Sequence, residues 1–160
     1  KKMKFSMLTI GLVVALAYVM GDSGQTLALG MFIAGAGAVY PFLAPILGWI
    51  GTYVTGSDTS AKILFSGLQS SVGQQVGAGS YLGMESMRHL LVGAGASGGV
   101  VGKMISPQSL AIAATAVGME GRESEILRRV VVWSLVLLLA VCTLVYLQSN
   151  VLAWMLPAAG

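Results

Sequence analysis

Two polar segments stand inside otherwise apolar sequence: Gly56-Ser57-Asp58-Thr59-Ser60 and Lys103-Met104-Ile105-Ser106-Pro107-Gln108-Ser109. Both carry helix-start chemistry. Ser57 or Asp58 suits an N-cap, and Gly56 permits the sharp turn before it. Ser106 suits an N-cap with Pro107 at the first helical position. A helix N-terminus offers unpaired N–H groups and roughly half a positive charge, a combination that binds carboxylates. Lys103 adds a full positive charge, while Ser57, Thr59, Ser60, Ser106, Gln108 and Ser109 add neutral hydrogen-bonding groups. The chemistry these residues suit is recognition of a small anion. Taken one at a time, each hydroxyl also fits a plain capping or helix–helix bonding role.

Asp58 is the acid expected at membrane depth, where ionisable groups are costly and mostly functional. Desolvation favours its neutral form, and a helix N-terminus favours its anion. Proton carrier and structural cap both stay open, as do two roles for Lys103: counter-charge to a substrate, or partner of Asp58. No metal or organic cofactor is expected. The lone Cys142 can form no internal disulfide and makes no zinc site by itself.

Composition says what must position these residues. The chain is 56% hydrophobic and only 9% charged, with a mean hydropathy of +0.83, where soluble domains carry about 25% charge. Residues 5–21 and 130–147 are uncharged apolar runs of the length that crosses about 30 Å of hydrocarbon. Lys1, Lys2 and Lys4 ahead of the first run imitate a signal peptide, but no clean cleavage site follows, so a retained span is expected. A net charge of +3 without a basic–aromatic cluster gives no sign of nucleic-acid binding.

The basic residues Lys1–Lys4 and Arg122, Arg128 and Arg129 set a parity, since both groups belong on the cytoplasmic side. A surface helix over 25–38 and a re-entrant hairpin over 42–71, open to the outside, satisfy it. Pro41 and Pro45 start the hairpin's first helix, which at about 1.5 Å per residue rises only about 20 Å to the midplane. Segment 90–118 then crosses inward and 130–147 outward. The former, about 43 Å if straight, is expected to break at Ser97-Gly98-Gly99 and at Ser106-Pro107. The fold class is thus an all-α polytopic membrane protein with transmembrane helices, a re-entrant hairpin and a broken helix.

Glu85, Arg88 and His89 are expected at the hydrated outer surface, and Glu120, Glu123 and Glu125 with the arginines in a cytoplasmic loop. Trp49, Tyr53, Trp133 and Trp154 suit interfacial belts or packing. Gly93-x-Gly95-x-x-Gly98 matches a dinucleotide fingerprint by letters but follows no strand. Around Gly102-Lys103 a P-loop needs Gly and Ser/Thr where Ser97 and Met104 stand.

At these residues the chain resembles the lactate permease family, bacterial proton-coupled symporters for L-lactate, D-lactate and glycolate. The resemblance lies in Gly48-Trp49 with Thr55-Gly56-Ser57-Asp58-Thr59-Ser60, in the run from Gly98 to Ala113 through Gly102-Lys103-Met104-Ile105-Ser106-Pro107-Gln108-Ser109, and in Val151-Leu152-Ala153-Trp154-Met155-Leu156-Pro157. It implies one repeat of an inverted-repeat ion-transporter fold, in which hairpin tips with a Ser-Asn-Thr-like motif bind carboxylates. Ser57-Asp58-Thr59 stands at the matching tip, with Asp in place of Asn. It further implies a multi-pass protein of the bacterial inner membrane, a proton as coupling ion and Asp58 as its carrier. Members are longer, and the chain lacks an initial Met, so it is expected to be a C-terminal part whose first repeat is missing; a homodimer stays open. The alternatives are a sodium-coupled di- or tricarboxylate carrier, a membrane enzyme working through Asp58 and Lys103, and a non-transporting structural subunit.

Overall fold

In the computed structural model, which describes residues 11, 12, 14–16, 18, 19, 22–80, 82–152 and 154, every regular element is helical. The described residues of the expected 5–21 span are helical, and Lys1, Lys2 and Lys4 lie outside the described residues. Helix α1 (Gln25–Ala34) and a 3-10 turn (Gly37–Val39) lead into α2 (Tyr40–Thr55). Pro41 occupies the first turn of α2, where its missing N–H costs nothing, and Pro45 lies inside the helix. Then come α3 (Asp58–Ala78), α4 (Met84–Lys103), α5 (Pro107–Ala116) and α6 (Glu123–Asn150).

Glycine decides how these helices meet. A Cβ on Gly48 would stand 1.9 Å from the Gly95 carbonyl oxygen, one on Gly98 1.9 Å from that of Pro45, and one on Gly102 2.4 Å from that of Trp49. The α2 and α4 backbones therefore touch, as small residues allow between membrane helices. The pairs Pro45/Gly98 and Trp49/Gly102 advance together, so the two helices run parallel. On α3, Gly73 meets the Arg88 backbone and Gly77 that of Met84, an antiparallel sequence of contacts. Helix α4 is thus held between α2 and α3, and the end of α2, the start of α3 and the end of α4 share one end of the bundle.

The core between these helices holds Tyr40, Ala44, Leu68, Val72, Leu91 and Ala94. Its polar atoms are paired: the Tyr40 hydroxyl donates to Gln69 Oε1 at 2.9 Å, and Gln69 Nε2 donates to the Ala44 carbonyl at 3.0 Å. Helix α6 joins through a buried relay in which Trp49 Nε1 donates to Ser134 Oγ (2.9 Å) and Ser134 to the Val101 carbonyl (3.2 Å). Cys142 is buried beside Val101 and Leu138. The outer face of α6 is apolar and exposed, with Trp133, Val136 and Leu139 on it. Two helical stretches, 37–55 and 123–150, are long and apolar enough to cross a membrane by length and composition.

Several expectations are corrected. Helix α4 runs unbroken through Ser97-Gly98-Gly99, because those glycines admit α2 rather than a turn; the break falls only at 104–106. Helix α3 continues to Ala78 instead of ending at 71, since Val72, Gly73 and Gly77 carry its buried face onward past the polar Gln74 and Gln75. Its 21 residues rise about 31 Å, more than the half depth expected. The expected surface helix 25–38 ends at Ala34, followed by the 3-10 turn. Glu123 and Glu125 are helical rather than in a loop, in the first turn of α6, where the helix dipole favours acids.

Candidate substrate site

The first polar segment is shaped by Gly56, which takes φ 67° and ψ 3°, the left-handed conformation that a Cβ penalises. Its N–H closes on the Thr52 carbonyl at 2.9 Å. Ser57 then extends, and its Oγ caps α3 by accepting the Ser60 N–H at 3.3 Å. That leaves the first amides of α3, at Asp58 and Thr59, among the orphan donors of the helix end. In the second segment Ser106 Oγ accepts the Ser109 N–H at 3.4 Å and lies 3.1 Å from the Lys103 carbonyl and 3.0 Å from Ser109 Oγ. Pro107 takes the first position of α5.

The two segments meet. Lys103 Nζ donates to the Gly56 carbonyl and, at 3.3 Å, to Gln108 Oε1. The same Gln108 oxygen lies 3.5 Å from where a Cβ on Gly56 would stand. One lysine therefore ties the end of α2 to the start of α5 through neutral acceptors, and among the described residues no acid pairs with it. Trp49, Tyr53 and Ile105 share a cleft with Leu127 and Arg128, so the junction lies toward the arginine-bearing end of α6.

The remaining sequence candidates divide. Ser57 and Ser106 spend their hydroxyls on capping, Ser109 is half-buried against Ser106, Ser60 is buried, and Thr59 is exposed. Asp58 does not pair with Lys103. Its Oδ2 binds Lys62 at 2.6 Å, a residue the sequence reading passed over although Asp and Lys stand at i and i+4, the spacing that pairs on one helix face. Its Oδ1 is buried and unpartnered. Thr52, also missed, is fully buried, and its Oγ1 is unpartnered too.

Other charges lie elsewhere. Arg88 binds Ser70 (2.7 Å) and Glu85 (3.2 Å), and His89 stands 3.8 Å from Glu85 in the first turns of α4, about 22 Å along the helix from Lys103 at ~1.5 Å per residue. At the other end, hydrogen bonding from Arg122 (2.6 Å) holds the exposed Glu125 carboxyl below the usual carboxylate range, with the charges of Arg122 and Arg129 adding to it.

A family model described as L-lactate permease matches residues 1–152. The chain is 46% identical over 157 residues to the L-lactate permease of Bacillus subtilis (strain 168), covering 98% of this chain and 26% of that protein. It is 45% identical over 154 residues to the glycolate permease GlcA of Escherichia coli (strain K12), with 96% and 26% covered, and 42% identical over 157 residues to the L-lactate permease of the same strain, with 98% and 27% covered. The chain thus spans about a quarter of the length of these relatives. No solved structure matches it.

Proposed function

Because the chain belongs to the L-lactate permease family, we propose that it forms part of a multi-pass transporter of the bacterial plasma membrane. That transporter carries L-lactate and related 2-hydroxymonocarboxylates, D-lactate and glycolate, by proton symport. The relatives' printed names support the substrate class. Transport rather than catalysis is the activity, and the other half of the site comes from a repeat outside this chain.

One observation carries the reading: Lys103 joins the two polar segments while bonded only to the neutral Gly56 carbonyl and Gln108 amide. An ammonium at membrane depth without a counter-anion is costly, and a substrate carboxylate removes that cost. The carboxylate sits on Lys103 and the orphan amides at the starts of α3 and α5, as half-helix N-termini hold anions in secondary transporters. The 2-hydroxyl is taken by Gln108 and by the hydroxyls of Thr59 and Ser109, with Ser57, Ser60 and Ser106 shaping the helix ends. Asp58 carries the coupling proton. The α2–α3 hairpin enters from the outer side and its tip lies on the cytoplasmic side of centre, deeper than half depth, given the length of α3.

The test is uptake of labelled L-lactate into proteoliposomes containing a chimera, with this chain in place of the matching quarter of the Bacillus subtilis L-lactate permease. Accumulation driven by an acid exterior and abolished by a protonophore is expected. Accumulation that follows a sodium gradient and ignores pH would replace this reading with sodium coupling.

A further inference from the structure

Helix α3 has the length of a membrane span and the wrong surface for lipid. Its 21 residues rise about 31 Å, yet none of its exposed side chains is large and apolar. Ile63, Leu64, Phe65 and Val76 are all half-buried. Helix α6 is the contrast: Val132, Trp133, Leu135, Val136 and Leu139 stand exposed on it, as a surface facing hydrocarbon requires.

On α3, Thr59, Lys62, Ser66, Ser70 and Gln74 recur every three or four residues, so they share one side of the helix, within about 120° of arc. Thr59, Lys62 and Gln74 are exposed, and Ser66 and Ser70 are half-buried. The stripe runs about 22 Å, from beside the Lys103 junction to the far end of the bundle. Two charged heads stand on it. Lys62 holds Asp58 at 2.6 Å with 45% of its side chain exposed. Arg88 of α4 donates to Ser70 Oγ at 2.7 Å and is 41% exposed. Beside Lys62 and Ser66 a cavity of about 110 Å³ lies between α3 and α4, against Gly95 and Ala96.

Three surroundings could meet this face: lipid, a dry protein surface, or water. Lipid is excluded, because hydrocarbon satisfies none of these groups. A dry protein face would strip the water from both charged heads, a cost that the ion pairs to Asp58 and Glu85 repay only in part. Water satisfies all five side chains of the stripe.

We infer that Thr59, Lys62, Ser66, Ser70 and Gln74 line the water-filled route by which the carboxylate passes between the outer surface and the Lys103 junction. The inference rests on the transport reading and on the outer entry of the α2–α3 hairpin. Lys62 and the Arg88–Ser70 pair set positive charge about 12 Å apart along the route, by the rise from 62 to 70. Each of these cations already has an acid, Asp58 or Glu85, so it attracts a passing anion without holding it. Lys103 has no acid partner among the described residues, and there the anion stops. Passage needs this order, weak sites leading to a stronger one.

The experiment places single cysteines in a cysteine-free form of the chimera, expressed in intact cells. Ser66→Cys and Gln74→Cys lie on the stripe, Val136→Cys and Leu139→Cys on the exposed face of α6. Each is treated from outside with the anionic, membrane-impermeant thiol reagent methanethiosulfonate ethylsulfonate, with and without L-lactate. The stripe cysteines are expected to react about tenfold faster than those on α6 or more, because a thiol ionises in water and not in hydrocarbon. L-lactate is expected to slow the reaction at Ser66→Cys severalfold, and modification there to block labelled L-lactate uptake. Stripe cysteines as unreactive as those on α6, in a chimera that still takes up L-lactate, overturn the inference and leave the symport reading standing. Reaction that L-lactate does not slow and that leaves uptake unchanged overturns it equally, since that water lies off the route. Uptake that follows sodium and ignores pH, with the stripe reactive and protected by L-lactate, overturns the symport reading and leaves the route in place.

Discussion

Gly98→Ala tests the packing on which the site depends. The added Cβ would lie 1.9 Å from the Pro45 carbonyl oxygen, 2.6 Å from its carbon and 2.8 Å from its Cα. All three are backbone atoms, so no side chain can swing aside. Ordinary contacts of this kind begin beyond 3 Å, so α2 and α4 must part by about 1 Å or more. That separation runs along a seam including Gly48 against Gly95 and Gly102 against Trp49, and it strains the Trp49–Ser134–Val101 relay. Overpacking of this sort costs about 1–3 kcal/mol. Gly93, on the same helix, supplies the control: a Cβ there meets nothing within 4 Å. Replacing a helical glycine with alanine in open space gains about 0.5–1 kcal/mol. The two alanines are therefore expected to act with opposite signs. Thermal melting of the purified chimera in detergent, followed by size-exclusion fluorescence, reads the difference, with Gly98→Ala melting below and Gly93→Ala at or above the parent. Equal melting temperatures for the two variants would refute the backbone contact between α2 and α4.

Removing a helix cap should weaken the junction without removing charge. Ser106→Ala and Ser57→Ala each lose an N-cap bond, with an expected cost of about 1 kcal/mol each by the same melting assay. Tyr40→Phe leaves Gln69 Oε1 without the donor it has at 2.9 Å in the core. Here a loss of about 1–3 kcal/mol is expected, and Phe at 40 melting like the parent would show the bond to be dispensable.

Much of the bundle was legible because its punctuation is chemical. Proline at 41 and 107, glycine at 56 and the capping serines at 57 and 106 act locally, so their helix ends follow from the residues alone. Glycines inside helices were not legible in the same way. Ser97-Gly98-Gly99 has the letters of a break, yet it is a smooth helical surface for α2. Local sequence does not say whether a glycine relieves backbone strain or admits a neighbour. The end of α3 was misplaced for a related reason: Gln74 and Gln75 look like a loop, while Val72, Gly73 and Gly77 go on packing beneath them. That misplaced end also made α3 look about 20 Å long, where its 21 residues rise about 31 Å.

At the site, the meeting of the two polar segments was foreseeable as chemistry but not as contact. Lys103 offered itself as a partner for Asp58, but Lys62, one turn along the same helix, takes that role, and the packing gives Lys103 to Gly56 and Gln108. The i, i+4 signal for Lys62 was present in the sequence. Thr52 carried none, because a threonine inside an apolar helix ordinarily bonds its own backbone, and its orphaned oxygen exists only because α3 and α4 close over it.

The central claim is that Lys103 gathers the two polar segments into one anion site. Its most direct test compares Lys103→Gln with Lys103→Arg in the chimera, measuring the concentration dependence of labelled L-lactate uptake at fixed acidic pH. Lys103→Gln is expected to abolish saturable uptake, and Lys103→Arg to keep it with an apparent KM raised by about tenfold or more, because guanidinium geometry differs from a compact ammonium. Saturable uptake by Lys103→Gln at the parental KM would contradict the account.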